Sequence, residues 1–337
     1  MINTRLSRQR PFHHMTSFTV ASILGILVPV PSAAQNMKPA HASPLDLVNG
    51  LHTAFGEHHA RAVHTKGVML EGSFAPATGA SRLTKEPIFK GGPLPIVARF
   101  SDFAGVPDLA DNDDGASPAG FAIKIEENDG STFDVVSNQH PDFITATSDE
   151  FLDFLRAAGA AGKGDKKPLE AFLSAHPHAQ QFLASLTYPV SYAQATYFGI
   201  NALKFTNGSG KAAFVRYRLV PQAPAKYLTP EERKIQGPNY LQDEIARRVG
   251  SGPIVFDWYA QIAGPGDKIE DPSIAWPESR KMVKLGTFTL TKLVSNADAA
   301  QRSLLFLPGQ PHPGVEPADP MLVLRNTAYP VSLGQRQ

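Results

Sequence analysis

The sequence predicts an α+β fold with a mostly antiparallel sheet. Short runs rich in β-branched and aromatic residues, separated by Gly, Pro and Asp, form two groups, within residues 68–136 and 213–294. Helical patterns separate the two groups, and strands and helices do not alternate regularly as a parallel sheet would require. No linker or repeat interrupts residues 35–337, which predicts a single domain.

The first 34 residues have the pattern of a secretory signal peptide. Arg5, Arg8 and Arg10 precede an apolar stretch at residues 18–28, and small residues follow up to Ala34. The apolar stretch is about half the roughly 20 residues that a membrane-spanning helix needs. We therefore expect cleavage after Ala34 and a periplasmic or secreted protein with no membrane segment in its mature form.

Local patterns predict the elements of the remaining chain. Ser43, Pro44 and Asp46 give a capped start to a first helix, whose core-facing stripe includes Val48 and Phe55. We expect strands at residues 68–74, 96–101, 121–126, 133–136, 213–220, 254–262 and 285–294. Helices are expected at residues 150–158 and 168–186, from Thr229, and again at residues 240–249.

Composition limits the classes of partner. The chain has 337 residues, of which 42% are apolar, and a formal net charge of only +1. Such a chain can bury a sizeable core, and its bulk charge gives no support to a nucleic-acid partner. Cysteine is absent, so neither disulfides nor thiol chemistry is expected.

Five short motifs occur in order along the chain. They read R-A-V-H-T-K-G at residues 61–67, A-R-F-S at 98–101, G-F-A-I-K at 120–124, D-V-V-S-N-Q-H-P-D-F at 134–143 and R-N-T-A-Y-P at 325–330. Each is common by chance, whereas the ordered set is specific. It resembles the monofunctional heme catalase family, whose pattern is R-x-V-H-x-K-G, V-R-F-S, G-F-A-V-K, D-L-V-G-N-N-x-P-x-F and R-x-x-x-Y-P. The resemblance spans residues 61–336.

The resemblance implies a catalase-like antiparallel β-barrel with flanking helices that enclose heme. It makes His64 the distal acid–base, Asn138 the amide that orients bound peroxide, and Ser101 a hydrogen-bond partner of the histidine. Tyr329 would be the iron ligand on the opposite face. The other matched residues would hold or border the heme: Arg61, Arg99 and Arg336 at its propionates, Arg325 beside the tyrosine, Val63 above the iron, and Phe143 and Phe151 along the heme or its access path.

These residue types suit the heterolytic cleavage of a peroxide. A proton must move from the oxygen nearest the iron to the leaving oxygen, and a neutral imidazole can accept and return it. A carboxamide adds a fixed donor without adding charge. On the opposite face a tyrosinate donates electron density, which favours an oxoferryl intermediate. Arg325 precedes Tyr329 by four residues, so a helix would place both on one face.

Departures from the family pattern change the expected activity. The mature segment before Arg61 is short, the sequence ends soon after Tyr329, and Asn201 stands where the larger enzymes carry a histidine. Asn201 argues against bound NADPH, and the shorter wrapping predicts a wider route to the heme. The chain is therefore most similar to the compact catalase-related peroxidases. These reduce hydrogen peroxide or organic hydroperoxides with a small organic electron donor.

Other functions stay open on the sequence alone. The same residues would serve a true catalase, and a non-enzymatic heme carrier or a hydroperoxide isomerase could share the fold. The presence of both His64 and Asn138 argues against a carrier, which needs no acid–base pair. Heme b is expected because there is no C-x-x-C-H attachment motif. We expect a monomer or a small homo-oligomer, and His140 is either a second titrating group or a solvated loop residue.

Overall fold

The computed structural model describes residues 41–336, so the predicted signal peptide lies outside the described residues. The helices are α1 (Pro44–Phe55), α2 (Ser148–Gly162), α3 (Lys167–Ala175), α4 (Pro177–Ala184), α5 (Pro230–Lys234), α6 (Tyr240–Ser251), α7 (Ala297–Ser303) and α8 (Pro320–Gly334). The strands are β1 (Gly67–Pro76), β2 (Leu94–Ser101), β3 (Gly120–Glu126), β4 (Thr132–Asn138), β5 (Tyr197–Thr206), β6 (Ala212–Pro221), β7 (Ile254–Ile262), β8 (Met282–Leu293) and β9 (Val315–Pro317).

Eight of the strands close into an antiparallel barrel. Their order is β4-β3-β2-β1-β8-β7-β6-β5, and the pairing of Asn138 with Phe198 joins β4 back to β5. The short strand β9 pairs with β5 near its end at Thr206. Closure satisfies the edges that an open sheet would leave unpaired. The predicted antiparallel α+β fold is confirmed.

Aromatic side chains fill the barrel. Phe100 and Phe121 stack with ring centroids 4.2 Å apart, and Phe74, Trp258 and Phe288 form a second fully buried group. Alternate residues of a strand point to opposite faces, so one face of each strand supplies this interior. Large buried rings at these positions remove extensive apolar surface from water, which is the main stabilising contribution. Among residues 41–336, no helix is long and apolar enough to cross a bilayer.

One predicted element differs from the structure, and the structure contains further elements that were not predicted, namely β5, β9, α7 and α8. The helix expected at residues 168–186 is two helices, α3 and α4, which meet at His176 because Pro177 has no N–H to continue the first. Strand β5 was not predicted. Its burial does not alternate, and a register shift between Gly199 and Leu203 breaks the two-residue period that identifies a strand.

The barrel has two ends with different side chains. At one end Ser101, Gly120 and Asn138 are register partners across β2, β3 and β4. At the other end of the β3–β4 hairpin Glu126 pairs with Thr132. Helix α1 packs against both α2 and α8. The cavity described next is bordered by the first end of the barrel and by residues of these three helices.

Candidate active site

A cavity of about 240 Å³ brings together the residues that the five motifs predict. Its wall comes from the end of the barrel and from α1, α2, α4 and α8, and it is mostly apolar. All the predicted site residues line it: Arg61, Val63, His64, Arg99, Ser101, Asn138, Phe143, Phe151, Arg325, Tyr329 and Arg336. Residues far apart in the sequence thus form one site.

His64 lies in the segment between α1 and β1, in an unusual backbone conformation. Its φ is +56°, in the left-handed region that residues other than glycine rarely adopt. The His64 N–H donates to the carbonyl of Phe103 at 2.7 Å, and Arg99 donates to the carbonyls of His64 and Thr65 at 2.8 and 2.7 Å. These bonds hold a conformation that costs about 1–3 kcal/mol, which is typical of functional positions.

The hydrogen bonds of the His64 ring determine its tautomer. Nδ1 lies 2.9 Å from the carbonyl oxygen of Asp102 and 3.1 Å from the Ser101 Oγ. A carbonyl oxygen only accepts, so Nδ1 carries the proton and Nε2 keeps a lone pair. Burial, reinforced by the nearby charge of Arg99, lowers the pKa of His64 to about 3. The ring is therefore a neutral base with Nε2 free to accept a proton.

A glycine makes room for this histidine. A Cβ at Gly120 would lie 2.8 Å from both the His64 Nδ1 and the Ser101 Oγ, closer than such atoms approach. Next in register, the Asn138 carboxamide oxygen accepts a hydrogen bond of 2.8 Å from the backbone N–H of His140. That bond orients the side chain so that the amide NH₂ is its remaining donor.

Tyr329 is held by an arginine on α8. The Arg325 Nε and Nη2 donate to the phenolic oxygen at 2.9 and 2.6 Å, as the spacing of four residues on one helix predicts. Arg325 Nη1 donates to the Asn201 carboxamide oxygen at 2.6 Å, and the Asn201 amide donates to Asp319 at 2.6 Å. A chain of hydrogen bonds thus runs from the helix N-cap, Asp319, to the phenol.

Three further arginines converge without an anionic partner. Arg61 and Arg336 both donate to the carbonyl of Leu304, and Arg99 donates to the side chain of Gln301. Burial, together with the charges of Arg99 and Arg336, lowers the pKa of Arg61 to about 8. The Nε of Arg336 is buried without a hydrogen-bond partner. Within the described part of the chain no carboxylate forms an ion pair with these three side chains.

These features fit a heme. A mostly apolar cavity suits a porphyrin, and an uncompensated group of buried cations suits its two propionates. Tyr329 would provide an oxygen ligand, and Arg325 donates two hydrogen bonds to that oxygen. The residues present would therefore hold heme through Arg61, Arg99 and Arg336 at its propionates and through Tyr329 at its iron.

The structure also gives roles to residues that the sequence left without one. Gly120 opens β3, and a glycine at the start of a strand often marks a close approach of another group to the backbone. Asn201, which departs from the family pattern, links Arg325 to Asp319 through two hydrogen bonds. His140 is not a solvated loop residue, since its ring contacts Asp142, Ser185 and Phe182.

A sequence model described as Catalase matches residues 54–336. A protein named "Catalase-related peroxidase" from Mycolicibacterium paratuberculosis is 34% identical over 297 residues, which are 87% of this chain and 93% of that protein. A second protein of that name, from Synechococcus elongatus, is 31% identical over 87% of this chain and 88% of its own length. A "Catalase" from Vibrio vulnificus is 28% identical over 78% of this chain, and the match covers 55% of that protein.

Two solved structures share the fold. A fungal catalase crystal structure superposes with a TM-score of 0.74 and 22% identity, over 82% of this chain and 59% of that one. Catalase A from Saccharomyces cerevisiae superposes with a TM-score of 0.72 and 21% identity, over 82% of this chain and 61% of that one. The chain therefore spans about 60% of the length of these catalases, and the predicted catalase-like barrel is confirmed.

The buried neutral histidine predicts a pH-dependent stability. The pKa of His64 falls from 6.5 to about 3 on folding, so between these values the unfolded chain binds a proton that the folded chain does not. The free energy of unfolding must therefore decrease as the pH falls through this window. Between pH 7 and pH 5 we expect it to fall by about 2 kcal/mol more in the wild type than in His64→Gln.

Urea unfolding at the two pH values measures the difference. His41→Gln, which alters an exposed histidine, serves as the control and should follow the wild type. Parallel losses in the wild type and in His64→Gln would show that the His64 pKa is not depressed.

Proposed function

The chain belongs to the catalase family, and we propose that it is an exported heme-dependent peroxidase. It would reduce hydrogen peroxide or organic hydroperoxides with a small organic electron donor. The observation that carries this proposal is one cavity lined both by a neutral histidine base beside a carboxamide and by a tyrosine held by an arginine. When bound, heme would supply the two electrons that the peroxide gains as its O–O bond breaks, and the organic donor would replace them.

His64 would transfer a proton between the two oxygens of the peroxide, and Asn138 would stabilise the negative charge that develops. Nε2 of His64 accepts the proton of the near oxygen and returns it to the far oxygen, which leaves as water or an alcohol. The Asn138 amide donates to the peroxide and stabilises the negative charge that develops on the leaving oxygen. Because Nδ1 stays bonded to the Asp102 carbonyl, the ring keeps its orientation through both transfers.

Arg325 and Tyr329 would form the face of the heme site opposite His64. The two N–H groups that Arg325 directs at the phenolic oxygen would hold the Tyr329 side chain in position. Asn201 fixes the third donor of Arg325, so the guanidinium cannot turn away from the phenol.

An apolar route to the cavity supports an organic donor or a bulky hydroperoxide. Phe143, Phe154 and Phe182 line the cavity together with Leu183, which is 37% exposed. The cavity therefore reaches the surface beside α4 through apolar side chains. Such a lining favours organic molecules over water and small polar solutes. Relatives that carry the name "Catalase-related peroxidase" support the same activity.

Three finer proposals rest on the sequence. The cofactor would be heme b, because the chain has no cysteine for thioether attachment. The protein would act in the periplasm or outside the cell after loss of residues 1–34. We also propose a monomer or small homo-oligomer, which sedimentation of the loaded protein would measure.

Replacing the proposed base tests the chemistry. In His64→Gln we expect heme absorbance to remain and peroxide turnover to fall about 10²–10⁴-fold, since a glutamine cannot relay the proton. His41→Gln should turn over peroxide as the wild type does. Tyr329→Phe should bind heme but lose the tyrosinate-type absorption spectrum. Unchanged turnover in His64→Gln would instead favour a heme carrier with adventitious activity.

The reductant separates a peroxidase from a true catalase. With hydrogen peroxide and a phenolic donor, we expect the oxidation of the donor to exceed the release of oxygen, because the apolar opening admits the donor. Oxygen electrode traces and donor absorbance, recorded on the same sample, give both rates. Oxygen release that is much faster than donor oxidation would identify a catalase.

Export predicts a shorter mature protein. Expression of the full chain in a bacterial host should yield a periplasmic product that begins at Gln35, because the small residues before it form the cleavage site. N-terminal sequencing and intact mass measure this. A cytoplasmic product that retains residues 1–34 would contradict the proposal, and an Ala34→Arg variant should remain uncleaved.

A further inference from the structure

A second group of polar side chains lies at the end of the barrel opposite His64. Glu86 is in the connection between β1 and β2, Glu127 is in the β3–β4 turn, and His312 precedes β9. One ligand atom from each lies within 4.8 Å of the other two. None of the three lines the heme cavity. The group is therefore separate from the site described above.

Glu86 is a fully buried carboxyl group without a partner. Its relative exposure is 0%, and neither carboxylate oxygen has a partner in hydrogen-bond geometry. Burial, followed by the charge of Glu127, raises the pKa of Glu86 to about 7, although the nearby backbone amide of Ile88 acts in the opposite direction. A buried carboxyl group that lacks hydrogen bonds is costly unless a positive charge or a proton compensates it.

Glu127 and His312 are oriented towards this group by their neighbours. Ser131 Oγ donates to one carboxylate oxygen of Glu127 at 3.0 Å, and the His312 ring packs on Phe133 with centroids 4.6 Å apart. Within residues 41–336 no hydrogen bond engages either ring nitrogen of His312. Burial lowers the pKa of His312, so its ring is neutral and able to donate a lone pair.

Thr84 joins two of the loops that carry these residues. Its hydroxyl donates to the carbonyl of Gly314 at 2.8 Å and accepts from the backbone N–H of Glu86 at 3.2 Å. Gly314 has a φ of +75° and follows His312 in a tight turn, where a Cβ would meet the carbonyl of Thr206. The loops of Glu86 and His312 are thus fixed relative to each other before any ligand binds.

We propose that Glu86, Glu127 and His312 bind a divalent transition-metal ion, with Zn²⁺ the best match. Zn²⁺ binds both imidazole nitrogens and carboxylate oxygens in tetrahedral sites, so two carboxylates and one imidazole would leave a fourth position for water. An imidazole also disfavours Mg²⁺ and Ca²⁺, which prefer oxygen ligands alone. Partly exposed Glu127 and His312 let an ion approach from solvent, and buried Glu86 forms the floor of the site.

The ion would tie three loops at this end of the barrel. The three ligand atoms lie within 4.8 Å of one another. Ligand atoms of a tetrahedral zinc site are roughly 3.3–3.6 Å apart at bond lengths of about 2.0–2.2 Å, so the group would contract by at most about 1.5 Å. The ion would neutralise two carboxylates that otherwise repel each other.

Zinc titration of the heme-loaded full chain tests the proposal. After EDTA treatment and dialysis, calorimetry should show one zinc ion bound per chain. Glu86→Gln and His312→Gln should each weaken zinc binding by about 100-fold or more, since each removes a ligand. Zinc should raise the melting temperature of the wild type and not that of these variants.

Glu126→Gln is the matched control, because Glu126 is the exposed neighbour of Glu127. It should bind zinc as the wild type does, whereas Glu127→Gln should not, and both should keep the heme absorption band. If Glu86→Gln fails to fold, the comparison of Glu127→Gln with Glu126→Gln still tests the zinc site. The absence of a saturable site, or equal zinc affinity in Glu127→Gln and Glu126→Gln, would overturn the proposal.

Discussion

The hydrogen bond between the His64 imidazole and the backbone carbonyl of Asp102 is the interaction on which the site depends. The carbonyl makes Nδ1 the protonated nitrogen, and burial keeps the ring neutral, so Nε2 is a base at any ordinary pH. Three unfavourable features are needed to place the ring there: a left-handed backbone at His64, a buried guanidinium at Arg99, and a glycine inside the sheet at Gly120. Packing alone would select none of them, which is why they point to a function of this end of the barrel.

Charge is distributed unequally between the two ends of the barrel. Buried Arg99 and partly buried Arg61 and Arg336 line the cavity without ion-pair partners, and the pKa of Arg61 is lowered to about 8 by desolvation and by its cationic neighbours. At the opposite end an unpartnered carboxyl group is buried, and the pKa of Glu86 is raised to about 7. A ligand of the opposite sign would compensate each arrangement: the propionates of the proposed heme at the first end and the proposed cation at the second. The closed barrel holds both groups in place because its strands cannot slide without breaking the ladder.

Most of the fold could be predicted from the sequence, because its strands and helices carry clear periods. The helix start at Ser43 has the expected capping box, and the strands with alternating apolar residues lie where they were expected. Strand β5 was missed because it is buried on both faces and interrupted by a register shift, which removes the alternation. Pro177 breaks the helix that was expected across His176. The proline is visible in the sequence, but the helical period of the apolar residues on both sides of it predicted one continuous helix.

For the site, the sequence by itself determined which residue types are present and in which order. The resemblance assigned catalytic or heme-binding roles to eleven residues, and all eleven line the cavity. Only the tertiary structure decided which nitrogen of His64 carries the proton, that Gly120 must lack a side chain, and that Asn201 joins Arg325 to Asp319. It also brought Glu86, Glu127 and His312 together from three loops. These are contacts between residues that strand register and barrel closure bring together, and no local pattern in a chain encodes such contacts.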